Sequence, residues 1–200
     1  MSIGAEDVVC ETVTVGGRAL DDALAAARAG DEWGITCLFR ALQPSLLRYL
    51  NRQAPGAADD LASETWLSAA RRLPGFEGSP SDFRALLFTI ARRRVVDGRR
   101  RWARRPALQP LDLEHETSVD PDPGAEDAAL GLISSEQAIA LLVETLPAAQ
   151  AEVVLLRVVA DLTTEETARV MGRSEGAVRV LQHRALRQLA KHFAREGVTK

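Results

Sequence analysis

Aromatic residues make up only 4% of this 200-residue chain, and sustained alternation of apolar with polar residues is missing as well. Alanine, leucine and arginine are abundant instead, with apolar residues recurring at helical spacing, which excludes a strand-rich core and predicts an all-α protein. The two cysteines, Cys10 and Cys37, have no short C-x-x-C spacing and no companion cluster of histidine or cysteine. Neither a zinc site nor a disulfide framework is indicated, and reduced thiols are the expectation. No apolar run approaches the roughly 20 residues of a membrane span, and the N-terminus lacks the basic-then-apolar order of a signal peptide. The expected location is cytoplasmic, without membrane insertion. The hydrophobic share of 46% is ample for a packed core, so wholesale disorder is excluded too.

Net charge is also small, at −3, but its placement is very uneven. Between Arg92 and Arg105 stand Arg92, Arg93, Arg94, Arg99, Arg100, Arg101, Arg104 and Arg105 against one acid, Asp97. Between Leu108 and Leu130 stand Asp112, Glu114, Glu116, Asp120, Asp122, Glu126 and Asp127, with no lysine or arginine. The two blocks nearly cancel in the total while leaving a local field able to attract phosphates.

Punctuation divides the chain. Residues 1–17 have no helical period and read as a flexible tail. A first helix is expected after Arg18, with Leu20, Leu24 and Ala27 on one face, ending at Gly30. A second runs from Asp31 to Leu50 with Pro44 inside it, suggesting a kink or a join. A third spans Ala58 to Leu73, closed by Pro74 and Gly75. A long fourth starts near Ser81 or Asp82, carries Phe83, Leu86, Leu87, Ile90 and Val95 on one side, and runs into the arginines. Prolines 106, 110, 121 and 123 among acids mark an extended linker. Beyond it helices are expected over about Ala125–Leu146, Pro147–Ala160, Thr164–Met171 and Ser174–Ala194. The domains are therefore residues 18–105 and 131–195, two small helical units joined by the acidic, proline-containing linker 106–130.

The segment from Leu162 to Leu181 has the features of a helix-turn-helix. Thr163 or Thr164 can cap a short helix whose first turn holds Glu165 and Glu166, which suits the helix dipole. Ala168 is small where a crossing helix must approach, Gly172 permits a left-handed turn, and Ser174 can cap the next helix. On that helix Val178 and Leu181 face inward, leaving Arg179, Gln182, His183 and Arg184 as candidates to face outward into a major groove. An arginine fork suits both guanine and phosphate, and the sequence leaves open which arginine meets which.

The first domain holds a second pattern. Leu61, Thr65 and Ala69 can line one helical face, with Asp60 and Glu64 together on a flank, a candidate partner surface. The arginine-rich helix beyond Phe83 offers phosphate contacts, and Trp102 beside it offers a ring that can stack on an unpaired base. Composition alone equally fits a solvated arginine face, and core packing for Trp66 and Trp102.

Both motifs, in this order and across this linker, resemble an extracytoplasmic-function (ECF) sigma factor of the sigma-70 family, over roughly Asp21 to Ala194. The run from Ala177 to Leu186 resembles a subgroup familiar from high-GC actinobacteria. Three positions depart from many members, which have tryptophan at Leu86, asparagine at Arg93, and a polar or basic pair at Val180 and Leu181. The resemblance implies an alternative sigma factor with region 2 in the first domain and region 4 in the second. Its partners would be core RNA polymerase, through the clamp helices and the flap, promoter DNA, and an anti-sigma factor holding it inactive. Asp60, Glu64 and Leu67 would lie on the clamp-binding face. Phe76, Ser79, Phe83 and Arg84, with Arg92, Arg93, Arg99 and Arg100, would serve the minus-ten element and its melted strand. Ser174, Glu175, Arg179, His183 and Arg184 would serve the minus-thirty-five element. The acidic linker would follow the polymerase's basic channel.

Two other classes explain less. A stand-alone helix-turn-helix regulator gives no reason for the Asp60/Glu64 flank or the arginine block. An enzyme using Asp97, His115 or His183 would draw them from an arginine helix, a linker and a recognition helix, with no converging pocket. No catalytic residue, metal or cofactor is expected.

Overall fold

The computed structural model describes residues 18–103 and 145–196, with side chains over 19–101 and 145–192. The tail, the linker, Cys10, His115, the side chain of Trp102 and nearly all of the helix expected over Ala125–Leu146 lie outside the described residues.

Seven α-helices and no strand occur among the described residues: α1 (Arg18–Arg28), α2 (Glu32–Gln53), α3 (Ala58–Ala70), α4 (Pro80–Ala103), α5 (Ala148–Val154), α6 (Thr164–Met171) and α7 (Glu175–Glu196). A short 3-10 turn, Leu73–Gly75, precedes α4, and a π turn, Leu155–Val159, ends α5. Each start has a local cause. Asp31 caps α2, its carboxylate accepting from the Trp33 N–H at 2.9 Å. Ser79 caps α4: its Oγ accepts from the Asp82 N–H at 3.2 Å, while its own N–H donates back to the Asp82 carboxylate at 2.8 Å. Pro80 follows at the first helical position, where no N–H is needed, so the helix begins slightly before the expected Ser81 or Asp82. Pro44 does not split α2; it sits exposed inside one continuous helix.

Apolar stripes then dictate packing. Leu20, Leu24 and Ala27 of α1 are buried, as are Leu38, Leu42, Leu46 and Leu50 of α2, and Phe83, Leu87, Ile90 and Val95 of α4. Tyr49 meets Phe88 edge to face, ring centroids 5.6 Å apart. Each fully buried large side chain contributes about 1.5–3 kcal/mol relative to exposure. The same cluster continues without a break into the second half, through Val153, Leu156, Leu162, Val170 and Val178. The two sequence domains therefore rest on each other, with a satellite cluster of Leu146, Ala151, Val154, Ala185 and Leu189 tying α5 to α7.

Cys37 lies in a small cluster between α1 and α2. It is buried beside Ala23 and Trp33, and the other cysteine, Cys10, lies outside the described residues.

Gly34 sets the approach of α2 to α1. A Cβ there would stand 2.4 Å from the Ala27 nitrogen and 2.5 Å from the Ala23 carbonyl oxygen, both rigid backbone. Gly34→Ala is expected to cost about 1–3 kcal/mol by forcing the helices apart. Equilibrium urea unfolding would show this as a lower midpoint, and an unchanged midpoint would contradict the close packing.

Candidate nucleic-acid and polymerase interface

The helix-turn-helix is built from α6 and α7. Thr163 and Glu166 form a reciprocal capping box: the Glu166 N–H donates to Thr163 Oγ1 at 3.1 Å, and the Thr163 N–H donates to the Glu166 carboxylate at 2.6 Å. At the other end Gly172 adopts φ 62°, and the N–H groups of Gly172 and Arg173 donate to the carbonyls of Arg169 and Ala168. No atom lies within 4 Å of a Cβ built on Gly172, so the glycine is there for its backbone angle. Ser174 then caps α7, its Oγ accepting from the Ala177 N–H at 3.2 Å. Val178, Ala185 and Leu189 turn inward and are buried.

That leaves a polar outer face. Glu175, Arg179, His183 and Arg184 are all exposed, with Arg179 held to Glu175 one turn away at 2.7 Å. Gln182 is half-buried rather than on this face. Val180, expected to be polar or basic in many similar chains, is 49% exposed among these residues.

In the first domain, Asp60, Glu64 and Leu67 recur at helical spacing on α3 and are all exposed. The Glu64 carboxylate is paired with Arg94 of α4, which also donates to Ser68 Oγ at 2.7 Å. Beside them the structure adds two residues that the sequence reading missed, Ile35 and Phe39 of α2, 41% and 43% exposed. Phe39 lies against Trp66, ring centroids 5.2 Å apart, while the Trp66 indole N–H donates to Gln43. The available signal was their spacing of four, off the buried Leu38/Leu42 stripe. Ile35, Phe39 and Leu67 thus expose apolar surface on α2 and α3, and α3 also carries the exposed acids Asp60 and Glu64.

The expected minus-ten residues do not converge on one open surface. Phe83 is fully buried and packs edge to face on half-buried Phe76, centroids 5.5 Å apart. Ser79 is exposed but is occupied as the α4 cap. Its hydroxyl and N–H hold the Asp82 carboxyl below the usual carboxylate range, with Arg169 adding to the effect. The arginines divide by exposure and partner. Arg92 is half-buried and forms a two-armed pair with Glu152 at 2.5 and 3.1 Å, while Arg99 is exposed and donates to the Gln53 side chain at 2.6 Å. Arg93 and Arg100, seven apart, face solvent. Arg84 is 4% exposed and enters the second domain, donating to the Ala160 carbonyl at 2.7 Å and lying 3.6 Å from Glu166.

Among the described residues no group of three or more potential metal ligands occurs, and no helix is long and apolar enough to cross a membrane. Asp97 and His183 stand exposed on different helices.

Comparison with known proteins agrees with this layout. Family models match in two places, Sigma-70 region 2 over residues 38–105 and Sigma-70, region 4 over residues 136–189. The ECF RNA polymerase sigma factor SigD of Mycobacterium tuberculosis is 34% identical over 195 residues, covering 94% of this chain and 91% of that one. Among solved structures, CnrH in complex with the cytosolic domain of CnrY matches with a TM-score of 0.61 at 21% identity, over 88% of this chain and 97% of its own. The sigma factor RpoE in complex with the anti-sigma factor NepR from Bartonella quintana matches at 0.52 and 21% identity, over 84% and 90%. These two structures share the fold. Similarity to SigD across nearly the full length of both chains settles the family: this chain belongs to the ECF RNA polymerase sigma factors.

Proposed function

We propose that the chain binds core RNA polymerase in the cytoplasm and directs initiation at a specific set of promoters, without catalysing a reaction itself. The observation that carries this reading is the presence of two different kinds of surface on one chain. The α7 face is charged and exposed, suited to a major groove. The exposed apolar side chains of α2 and α3, with the exposed acids of α3, suit a protein partner. On this reading Asp60, Glu64 and Leu67, joined by Ile35 and Phe39, meet the polymerase clamp, while Arg179, His183 and Arg184 approach the upstream element. The solvent-facing Arg93 and Arg100 meet phosphates near the minus-ten element. Mounting both domains on one polymerase makes the second DNA contact effectively intramolecular, so neither needs high affinity alone. RpoE of Bartonella quintana is bound by the anti-sigma factor NepR, and a partner of that class is proposed here, covering the α2/α3 face.

Run-off transcription with purified core polymerase on a genomic promoter library tests the reading. Promoter-specific transcripts are expected with the wild-type chain and at least about tenfold fewer with Asp60→Ala/Glu64→Ala, a loss of the size seen for interface hot spots. No transcripts alongside tight DNA binding by the free chain would favour a stand-alone regulator. On a promoter so identified, Arg179→Ala is expected to lower polymerase-bound affinity by about 1–3 kcal/mol and relax preference at one upstream position. Equal weakening on every sequence would reassign Arg179 to phosphate.

A further inference from the structure

A cavity of about 490 Å³ opens where α4 meets the start of α5. Part of its wall is apolar and buried: Val95 of α4, Leu146, Ala151 of α5 and Leu155 of the π turn. Its charged groups are few and mostly of one sign. Arg92 and Glu152 both line it, but their two-armed pair makes their charges cancel. Arg99 of α4 and Arg173 of the turn between α6 and α7 also line it and are exposed, which places them toward its mouth. Arg99 donates to neutral acceptors, the Gln53 carbonyl at 3.0 Å and the Gln53 side chain at 2.6 Å. Among the described residues no carboxylate pairs with Arg99 or Arg173. Tyr49 reaches the cavity from α2, and burial, with Glu152 nearby, pushes its hydroxyl up, so that it stays a neutral donor.

A concave site of about 300–1,000 Å³, with an apolar wall and a few placed polar groups, is the usual form of a small-molecule site, and such sites recur where domains meet. The chemistry of the lining selects the occupant. Two uncompensated guanidinium groups at one mouth call for more than one negative charge, which a phosphate or pyrophosphate carries and a single carboxylate does not. An acyl chain would strip water from Gln53, Tyr49 and the Arg92–Glu152 pair without replacing their hydrogen bonds. A heterocyclic base offers an apolar face and a hydrogen-bonding edge at once. We infer that the cavity is a site for a free nucleoside diphosphate, its base against Val95, Leu146 and Leu155 and its phosphates on Arg99 and Arg173. The site shares no residue with the exposed apolar side chains of α2 and α3, nor with Arg179, His183 and Arg184 of α7, so it adds a ligand to the proposed function rather than restating it.

Isothermal titration calorimetry of the full-length chain with ADP, GDP and CDP, at about 0.15 M ionic strength, tests the site, with the matching nucleosides and inorganic pyrophosphate as half-ligands. At least one nucleotide is expected to bind saturably, one per chain, and about tenfold or more tighter than either of its halves. Arg99→Ala/Arg173→Ala is expected to weaken that nucleotide about ten- to a hundredfold, the loss of charge-assisted hydrogen bonds, while the nucleoside keeps its affinity. Ala149→Trp, which fills the cavity, is expected to abolish both. Arg93→Ala/Arg100→Ala, on the solvent side of α4, is expected to change nucleotide affinity by no more than about twofold. Saturable binding of none of the three nucleotides overturns the site, as does an unchanged affinity in Arg99→Ala/Arg173→Ala. An equal loss in Arg93→Ala/Arg100→Ala would mean diffuse attraction of phosphate by the arginine block, and overturns it too. Displacement of the nucleotide by single-stranded DNA, with the same dependence on Arg99 and Arg173, would give the cavity to a nucleic-acid strand and overturn the free-nucleotide reading. Should Ala149→Trp lose helical circular dichroism, the Arg99/Arg173 variant, changed at exposed positions, decides alone.

Discussion

Arg84 brings a guanidinium into a seam where 4% of its surface reaches solvent, and Glu166 meets it with a carboxylate that is 1% exposed. Taking either charge out of water alone would cost several kcal/mol, so each is tolerable there only because the other is present. Everything that joins the two halves is arranged around that pair. Ser81 and the Ala160 carbonyl share its hydrogen bonds, the continuous apolar cluster surrounds it, and Arg48, Arg92 and Arg169 close its margins. The arrangement places Arg84 and Arg92 of α4 against the second domain, while Arg93 and Arg100 of the same helix face solvent.

Much of the fold could be read from residue order because local rules and packing agree. Leu20, Leu24 and Ala27 share a helical face and are buried together; Thr163, Gly172 and Ser174 stand where a cap, a left-handed turn and a second cap are needed. The α6 boundaries follow the expected Thr164–Met171 for the same reason. What was not legible depends on long-range geometry. The sequence treats eight arginines between Arg92 and Arg105 as one block, yet helical phase sends Arg92 to Glu152 and leaves Arg93 in solvent. The partner sixty residues away is not announced by spacing, whereas the burial of Phe83 was, by its place in the apolar stripe with Leu87, Ile90 and Val95. Ser79 shows the same limit in miniature. A polar loop residue before a basic helix suggests a ligand contact, and here its hydroxyl serves the backbone of that helix.

Two faces of the chain stay exposed, the outer side of α7 and the apolar side chains of α2 and α3. A chain that carries two separate contact surfaces gains from weak single contacts whose strength appears only when both domains are mounted together. Ile35, Phe39 and Leu67 of α2 and α3 and Arg179, His183 and Arg184 of α7 remain exposed, whereas Arg84 of α4 is buried against the second domain.

A double-mutant cycle on Arg84 and Glu166 measures the central contact directly. Arg84→Met, Glu166→Gln and the double variant would be compared with wild type by equilibrium urea unfolding. The account predicts strong non-additivity, with each single change leaving one buried charge unmatched and the double change costing less than the sum by about 1–3 kcal/mol. Effects that add to within about 0.5 kcal/mol would mean that the two charges do not meet in solution, and the joined arrangement of the halves would fall with them.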